Sequence, residues 1–316
     1  MKNIAILLAT YNGGQYLREQ LDSLFAQTNQ DFRIVIHDDG SIDNTVEIIN
    51  EYKEKYPERI EVLDGKPKGT PKANFMYLLS EVEADCYFFC DQDDVWLPTK
   101  VEESLKALDC FPQSTLDTVT EPRIVFTDMY VVDKDLTVID NSFIRYLGRD
   151  INNVAYTQIL IDNPAAGTTM CFNKALRDIA VSCDSVQWEN VPMHDSWLLE
   201  IAAIFGRVGS VNKPLVCYRQ TGNNNMGAVT ESTAQKMARN MSDIPNGFFG
   251  KKKAFINEAR SFAREILRLR DIPENKLKVL NDFVHIGSKP KLARMKFYRD
   301  KNFTRAHNNW WMRLWV

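Results

Sequence analysis

An α/β fold built on a Rossmann-like mixed sheet, mostly parallel and flanked by helices, is predicted by three features of the first hundred residues. Continuous apolar runs recur, segments with helical spacing lie between them, and polar clusters follow several of the runs. Strands that are apolar throughout are typical of a sheet covered by helices on both faces, because both sides of such a strand are buried.

The predicted elements alternate between strand and helix up to residue 94. Strands are expected at 3–10, 32–40, 59–65 and 86–94, and helices at 15–27, 41–56 and 71–82. Leu17, Leu21 and Leu24 recur at helical spacing in the first helix, which indicates one buried face. Polar residues at the start of the second helix are typical of an N-terminal cap. The alternation therefore predicts repeated strand–helix–strand units.

Beyond residue 110 the pattern is less regular. We expect a strand at 123–133, a loop, strand and helix across 163–180, a helix at 191–206, and a strand pair within 207–227 that ends in a glycine- and asparagine-rich loop. From about residue 250 the segments are helical and basic. The chain is therefore expected to form one domain over residues 1–230 and a helical, basic C-terminal extension over residues 231–316.

Composition excludes several classes of protein. The chain has 316 residues, 44% hydrophobic and 26% charged, which is ordinary for a soluble globular protein with a full core. A net charge of −3 is unlike that of a protein that coats nucleic acid. The six cysteines form no CxxC pair, and no secretory signal opens the sequence, so reduced thiols and a cytoplasmic location are expected. No apolar run approaches the roughly 20 residues of a membrane span.

Polar clusters follow three of the predicted strands. The first strand runs into ATYNGG, the second into HDDGS and the fourth into CDQDD. The carboxyl ends of parallel strands lie at one edge of a sheet, where the ligands of such folds bind. The sequence therefore predicts a binding site at this edge.

Three carboxylates, Asp91, Asp93 and Asp94, crowd the end of the fourth strand. Like charges this close destabilise a fold unless a cation or a ligand compensates them. A D-x-D spacing lets two carboxylates share one divalent ion, and Mg²⁺ or Mn²⁺ would bind here together with substrate phosphates. A zinc site is not expected, because the four histidines at 37, 194, 285 and 307 lack ligand spacing. A polar turn without a ligand is the simpler alternative.

The predicted edge suits a nucleotide-sugar. Tyr11 is placed to stack on the base beside Asp39, and a metal at Asp93 would neutralise a diphosphate. The chain has neither a GxxxxGK[ST] loop nor a GxGxxG turn after the first strand. NTP hydrolysis and dinucleotide binding are therefore not expected.

Three motifs, in this order and spacing, resemble family 2 glycosyltransferases of the GT-A fold: LLATYNGGQYLREQLDSLFAQ, IHDDGSIDNT and FFCDQDDVWLP. The form CDQDDVW, with MHDSWL and YRQTGNNNMGA downstream, is most similar to the bacterial rhamnosyltransferase-like branch. The resemblance covers about residues 1–230. It implies a donor half over about residues 1–110 and an acceptor half over about residues 111–230.

The resemblance implies a nucleotide site at the first two strand ends. The residues expected to hold the base and ribose are Thr10, Tyr11, Asp38 and Asp39, and Lys72 is expected to line the nucleotide pocket. A solvated lysine is the alternative for Lys72. The acidic motif is expected to serve the diphosphate: Asp91 would lie near the ribose and diphosphate, and Asp93 would be the chief metal ligand, supported by Asp91 and Asp94.

The resemblance also implies a catalytic base and a closing loop. Asp195 in HDSW matches the base, although His194 stands where the family more often has glutamate. The alternatives are that Asp195 is a helix N-cap and that His194 is a packed histidine. Arg219, Gln220 and Asn223 are expected in a loop that closes over the diphosphate, and a surface ion pair is the alternative for Arg219.

The resemblance implies an inverting, metal-dependent glycosyltransferase in bacterial cell-surface polysaccharide synthesis. Its donor would be dTDP-β-L-rhamnose and its acceptor a saccharide, lipid-linked at the cytoplasmic membrane face. A UDP-hexose donor, galactose or glucose, is the alternative. A rival class is an inactive sugar-nucleotide or saccharide-binding module, which would need no base. A nucleotidyltransferase would need a triphosphate loop that the amino terminus does not contain.

The tail 289–316 contains eight Lys/Arg against one acid, Asp300, interleaved with aromatic residues. Such a pattern suits an anionic membrane surface at the inner face of the plasma membrane, where indoles lie at the headgroup level. A helix packed on the main domain and a homodimer contact are the alternatives. Single-stranded nucleic acid has no supporting motif and is not expected as a partner.

Overall fold

The computed structural model of the chain describes residues 2–111, 121–222 and 248–306, the side chains of 248–252 excepted. This part of the chain forms one mixed sheet between two layers of helices. Its strands are β1 (Ile4–Thr10), β2 (Arg33–Asp38), β3 (Ile60–Val62), β4 (Cys86–Asp91), β5 (Val95–Trp96), β6 (Arg123–Val132), β7 (Val138–Asp140), β8 (Met170–Asn173) and β9 (Arg207–Arg219). The α/β class predicted from the sequence is confirmed.

The helices of the described residues follow the predicted order in the first half and continue to the C-terminal segments. They are α1 (Leu17–Phe25), α2 (Thr45–Lys55), α3 (Pro71–Glu81), α4 (Lys100–Asp109), α5 (Phe143–Tyr146), α6 (Tyr156–Ile159), α7 (Lys174–Ala180), α8 (His194–Phe205), α9 (Phe248–Ile266), α10 (Glu274–His285) and α11 (Lys291–Asp300). The start of α3 shows why these bounds hold. The Thr70 side chain accepts a hydrogen bond from Ala73 N at 3.2 Å, and Pro71 opens the helix.

The strands lie in the order β3-β2-β1-β4-β8-β6-β9-β5, with β7 paired to β6. The first four are mutually parallel, and the chain order reverses between β1 and β4. β8 is antiparallel to both β4 and β6, so β6 ends at the same edge as β4. Ligands of open α/β sheets bind where the strand order reverses. The carboxyl ends of β1 and β4 are therefore the expected site.

Alternate residues of β1 enter apolar cores on opposite faces of the sheet. Ala5 and Leu7 pack in the core that includes α3 and α8. Ile6 and Leu8 pack in the core that includes α1, α2 and α4. Both cores exclude water from the strands, which explains why these segments are apolar throughout.

Some elements differ from the prediction. The expected strand pair within 207–227 is one long strand, β9, because it pairs with β6 over most of its length and with β5. β5, β7, α5 and α6 are too short to produce a periodic pattern. By contrast, α4 buries Val101, Leu105 and Leu108 at helical spacing, a signal that the prediction missed.

The C-terminal helices pack on the main core. Phe262 of α9 and Phe283 of α10 are buried in the same apolar core as α8. Tyr298 and Phe303 of the predicted membrane tail are also buried, with ring centroids 6.3 and 4.5 Å from Phe283. These two aromatic residues therefore pack on the main domain, which is one of the alternatives to membrane binding. The predicted boundary at residue 230 and the tryptophans of the tail lie outside the described residues.

Candidate active site

Strand register brings the predicted polar clusters together. Thr10 lies opposite Asp38 on β2, and Ala9 lies opposite Asp91 on β4. The Thr10 hydroxyl donates a hydrogen bond to Asp38 Oδ1 at 2.8 Å. The ends of β1, β2 and β4 therefore form one polar edge, as the parallel arrangement requires.

Gln92, the second residue of DQDD, fixes the loop after β1. Its Oε1 accepts a hydrogen bond from Tyr11 N and its Nε2 donates to the Tyr11 carbonyl oxygen, both at 2.8 Å. A Cβ on Gly13 would lie 2.1 Å from Gln92 Oε1, so a larger residue there would displace the Gln92 amide from Tyr11. The Tyr11 ring is left 56% exposed at the polar edge, where a planar base can stack. The sequence analysis missed Gln92, because an uncharged residue between carboxylates gives no metal-ligand signal.

Asp38 and Asp39 hold neighbouring loops through their carboxylates. Asp38 accepts hydrogen bonds from the Ser41 backbone N at 2.7 Å and the Ser41 hydroxyl at 2.6 Å. Asp39 accepts from Gly69 N at 2.9 Å and from Lys68 N. Both residues therefore shape the edge, and their contact with a nucleotide stays a prediction.

Lys72 is tied to the segment that precedes α8. Its Nζ donates hydrogen bonds to the carbonyl oxygen of Val191, at 2.6 Å, and to that of Trp188. Burial lowers its pKa. Lys72 is therefore half-buried and hydrogen-bonded rather than fully solvated, and the expected role in the nucleotide pocket stays a prediction.

The three carboxylates after β4 have different surroundings. Burial, with the charges of Asp93 and Asp195, raises the pKa of Asp91 to about 7. Burial also raises the pKa of Asp93, and the charge of Arg219 opposes this shift. Asp94 is fully buried, its Oδ1 accepts from Arg219 N at 3.3 Å, and burial raises its pKa well above the ordinary value. A cation would relieve this crowding.

Arg219 is the last residue of β9 rather than part of the following loop, because β9 stays paired with β6 up to this position. Its Nε donates to the Asp93 carbonyl oxygen at 2.9 Å, and its Nη2 forms an ion pair with Glu19 at 2.5 Å. The guanidinium also lies 4.6 Å from the centroid of the Tyr16 ring. Since Arg219 is buried, the surface-ion-pair alternative is wrong. The arginine holds the acidic turn in place.

The remaining residues of the predicted closing loop stay predictions. Gln220 extends the pairing with β6 by one hydrogen bond, from its backbone N to the Val132 carbonyl oxygen at 2.9 Å. Asn223 lies outside the described residues.

Asp195 lies in the first turn of α8, and Met193 occupies the N-cap position. The helix-cap alternative for Asp195 is therefore wrong. Its Oδ1 accepts hydrogen bonds from Asn163 Nδ2 at 3.2 Å and from the Ser196 hydroxyl at 3.0 Å. Burial raises its pKa, which strengthens a carboxylate as a proton acceptor. Since its charge also acts on Asp91, the two carboxylates lie near each other at the edge.

His194 is packed rather than catalytic. Its ring stacks on Phe75 with centroids 4.3 Å apart and meets Phe89 edge-on at 4.8 Å. Burial lowers its pKa to about 3, so the imidazole is neutral near pH 7. A Cβ on Gly167 would lie 2.5 Å from His194 Nε2. The histidine therefore forms an uncharged wall beside the Asp195 position.

Asp91 and Asp93 fit the expected divalent cation. Carboxylate oxygens are ligands that Mg²⁺ and Mn²⁺ prefer, and a cation would offset both the burial and the neighbouring charge that raise the pKa of Asp91. Asp94 fits less well than predicted, because its carboxylate is buried against Arg219 N. Within the described ranges, no three His, Cys, Asp or Glu side chains form a complete metal site. A cation here would therefore need further oxygen ligands from a bound diphosphate.

Comparison with known proteins finds similar sequences among glycosyltransferases. Residues 5–165 match the sequence model of Glycosyl transferase family 2. An uncharacterized glycosyltransferase of Nostoc sp. is 26% identical over 248 residues, which are 76% of this chain and 72% of that protein. The dTDP-rhamnosyl transferase RfbG of Shigella flexneri is 28% identical over 237 residues, which are 70% of this chain and 74% of that protein.

Solved structures share the fold at low sequence identity. S. aureus TarS 1–349 in complex with UDP-GlcNAc is 17% identical with a TM-score of 0.56, covering 90% of this chain and 71% of that chain. The mannosyltransferase PcManGT from Pyrobaculum calidifontis, in complex with GDP-Man and Mn²⁺, is 13% identical with a TM-score of 0.50, covering 92% of this chain and 72% of that chain. The GT-A fold expected from the motifs is confirmed.

We expect Mn²⁺ to raise the melting temperature more at pH 8 than at pH 6. The pKa of Asp91 rises from 3.8 to about 7 on folding. Between these two pH values the folded state binds more protons than the unfolded state, so without metal the free energy of unfolding falls as pH rises through about 7. A cation that needs the deprotonated form offsets this loss at pH 8 and competes with protons at pH 6. Scanning fluorimetry at both pH values measures the difference.

Two variants locate the effect. Asp93→Asn should remove most of the Mn²⁺-dependent shift, whereas Asp282→Asn, at an exposed position of α10, should keep it. If Mn²⁺ raises the melting temperature of Asp93→Asn as much as that of wild type at both pH values, the cation binds elsewhere.

Proposed function

The chain belongs to glycosyl transferase family 2, and on this premise we propose that it is an inverting, metal-dependent glycosyltransferase with a nucleotide-sugar donor. The observation that supports this most is that the charge of Asp195, in the first turn of α8, acts on Asp91 at the end of β4, next to Asp93. Transfer needs both a place for the donor diphosphate and a base for the acceptor hydroxyl. A module that only binds a sugar or a nucleotide-sugar would not need a buried carboxylate such as Asp195 as a base.

In the proposed reaction Asp195 takes the proton of the acceptor hydroxyl as that oxygen attacks the anomeric carbon. The bond from this carbon to the diphosphate oxygen breaks on the opposite face, so the configuration inverts. Asn163 and Ser196 orient the Asp195 carboxylate by hydrogen bonds, and its raised pKa favours proton acceptance. A divalent cation held by Asp91 and Asp93 would neutralise the leaving diphosphate.

The nucleotide is proposed to lie along the ends of β1 and β2. The exposed ring of Tyr11 would stack on the base, and its backbone is held by Gln92. Thr10 and Asp38 would line the ribose side, since they already meet at the edge. Asp39 and Lys72 would shape the pocket through the segments that they hold.

We propose dTDP-β-L-rhamnose as the donor. The similarity to the dTDP-rhamnosyl transferase RfbG over 237 residues supports this choice. The acceptor is proposed to be a saccharide in bacterial cell-surface polysaccharide synthesis, linked to a lipid at the inner face of the plasma membrane.

We further propose that α11 holds the chain at that membrane. Its exposed basic residues include Lys291, Lys296 and Arg299, with Leu292 78% exposed among them. A cationic face with an exposed apolar residue suits an anionic bilayer. Within the described residues no helix is long and apolar enough to span a bilayer. The proposed attachment is therefore to the surface.

Asp195→Asn should leave donor affinity nearly unchanged and lower the transfer rate by roughly 10²- to 10⁴-fold, because the variant lacks the proton acceptor. Calorimetric titration of the donor and the rate of nucleotide release give the two quantities. Asp184→Asn, at an exposed position before α8, is the matched control and should keep both. Turnover of the Asp195 variant within about threefold of wild type would place the base elsewhere.

Nucleotide release should be faster with dTDP-rhamnose than with UDP-galactose or UDP-glucose. The donors are compared at equal concentration with one saccharide acceptor, and Asp195→Asn gives the background of uncatalysed hydrolysis. A preference for either UDP-hexose would reject the rhamnose donor while leaving the glycosyltransferase proposal intact.

Neutralising α11 by Lys291→Gln, Lys296→Gln and Arg299→Gln together should weaken binding to anionic vesicles by about a hundredfold, since each cation contributes roughly 1 kcal/mol near such a surface. Vesicle cosedimentation at rising salt measures the affinity, which should fall with ionic strength. The control is Lys53→Gln, Lys66→Gln and Lys106→Gln, exposed positions with the same loss of charge. Equal losses in both triple variants would assign the binding to net charge rather than to α11.

A further inference from the structure

A cavity of about 430 Å³ lies on the acceptor side of the sheet edge. Its polar lining includes Asn141, Ser142, Arg149 and Asn212. Asp128 of β6 also lines it, two residues beyond Phe126, which pairs with β8. β6 and β4 run in the same direction on either side of β8. The cavity therefore lies toward the carboxyl end of β4, where Asp91 and Asp93 are located.

Arg149 lines this cavity with 18% of its side chain exposed, and its hydrogen-bonding capacity is not filled by the described contacts. Its Nη1 is buried and donates to no acceptor among the described residues. Its Nε lies 3.4 Å from Asp162 Oδ1, and the Arg305 Nη2 lies 3.3 Å from the same oxygen. Both separations exceed the roughly 2.7–2.9 Å of a strong charge-assisted hydrogen bond. One carboxylate oxygen divided between two guanidinium groups therefore leaves Arg149 incompletely satisfied.

Arg149 is coupled to the proposed base. Asp162, its ion-pair partner, is followed directly by Asn163, which donates a hydrogen bond to Asp195 Oδ1 at 3.2 Å. The charge of Arg149 also opposes the rise in the pKa of Asp195 caused by burial. Arg149 therefore borders both the cavity and the surroundings of the base.

The C-terminal extension contributes to the same cluster. Arg305 follows a segment held by hydrogen bonds from Thr157 Oγ1 to the Asn302 carbonyl oxygen and from Gln158 Nε2 to Thr304 Oγ1, both at 3.3 Å. The Arg305 guanidinium also lies 5.4 Å from the centroid of the Phe255 ring. The extension is therefore part of the acceptor side, and Ala306 lines the cavity itself.

We propose, on the premise that the chain is a glycosyltransferase, that this cavity binds the acceptor and that Arg149 recognises an anionic group, phosphate or carboxylate, on an acceptor saccharide. Arg149 keeps a donor without an acceptor in the described part of the chain, and an anion pairs with a guanidinium group far more strongly than a sugar hydroxyl does. Arg145, which also lines the cavity, already pairs with Asp140 at 2.6 Å. The amides of Asn141 and Asn212 suit the hydroxyls of the sugar.

Binding of three probes to the full chain in EDTA tests the proposal apart from any transfer reaction. The probes are glucose 1-phosphate, methyl glucuronide and methyl glucoside, and saturation-transfer difference NMR gives their affinities. EDTA prevents a metal at the carboxylates from holding the phosphate. Wild type should bind one or both anionic probes at least about tenfold more tightly than the neutral glucoside, and the preferred probe distinguishes phosphate from carboxylate.

Arg149→Gln should remove this preference, whereas Arg149→Lys should retain part of it. Arg145→Gln, whose arginine is already paired, should bind the anionic probes within about twofold of wild type. Unchanged anion preference in Arg149→Gln, an equal loss in Arg145→Gln, or no preference in wild type would each overturn the proposal. If Arg149→Gln melts below the assay temperature, Arg149→Lys is the deciding variant. Binding of both anions by Arg149→Lys as tightly as by wild type would reject recognition by the planar guanidinium. Because no donor is present, these outcomes are independent of whether the chain transfers a sugar.

Discussion

The buried guanidinium of Arg219 fixes the acidic turn on which the whole proposed active edge depends. A charge inside a protein is costly unless an opposite charge and hydrogen bonds surround it. Glu19 supplies the charge, and the carbonyl oxygens of Asp93 and Lys134 accept hydrogen bonds at 2.9 and 2.6 Å. One side chain thereby joins α1, the turn after β4 and the end of β9. The carboxylates keep their positions although their charges repel, because Arg219 holds the backbone of the turn through the Asp93 carbonyl oxygen.

The proposed acceptor side is also assembled from segments far apart in the chain. Asp162 and Asn163 are adjacent, yet one meets two arginines and the other meets the proposed base. The second arginine, Arg305, belongs to the C-terminal extension, whose aromatic residues share the core of α8. An extension packed in this way cannot be removed without disturbing the edge. Its helices therefore belong to the same packed unit as the sheet edge, and the membrane surface proposed for α11 is an outer face of that unit.

Sequence patterns predict the first half of the sheet because each strand–helix unit is local and each strand is apolar on both faces. They do not predict Gln92 or Arg149, since the roles of these residues come from contacts that exist only after folding. The choice between base and helix cap for Asp195 depends on where α8 begins, a boundary that periodicity fixes poorly. Aromatic residues among cations, such as Tyr298, fit a membrane face and a packed helix equally well. Only their burial separates the two.

Four carboxylates near one another have different surroundings, and these surroundings, rather than residue type, assign their roles. Asp94 is buried against the protein backbone and belongs to the framework. The charges of Asp91 and Asp93 repel each other, and a cation would balance them. Asp195 lies on a separate helix, α8. A positive charge acts on each group: Arg219 acts on Asp93 in the acidic turn, and Arg149 acts on Asp195, the proposed base. Both arginines oppose the effect of burial on the carboxylates near them, since each lowers the pKa that burial raises.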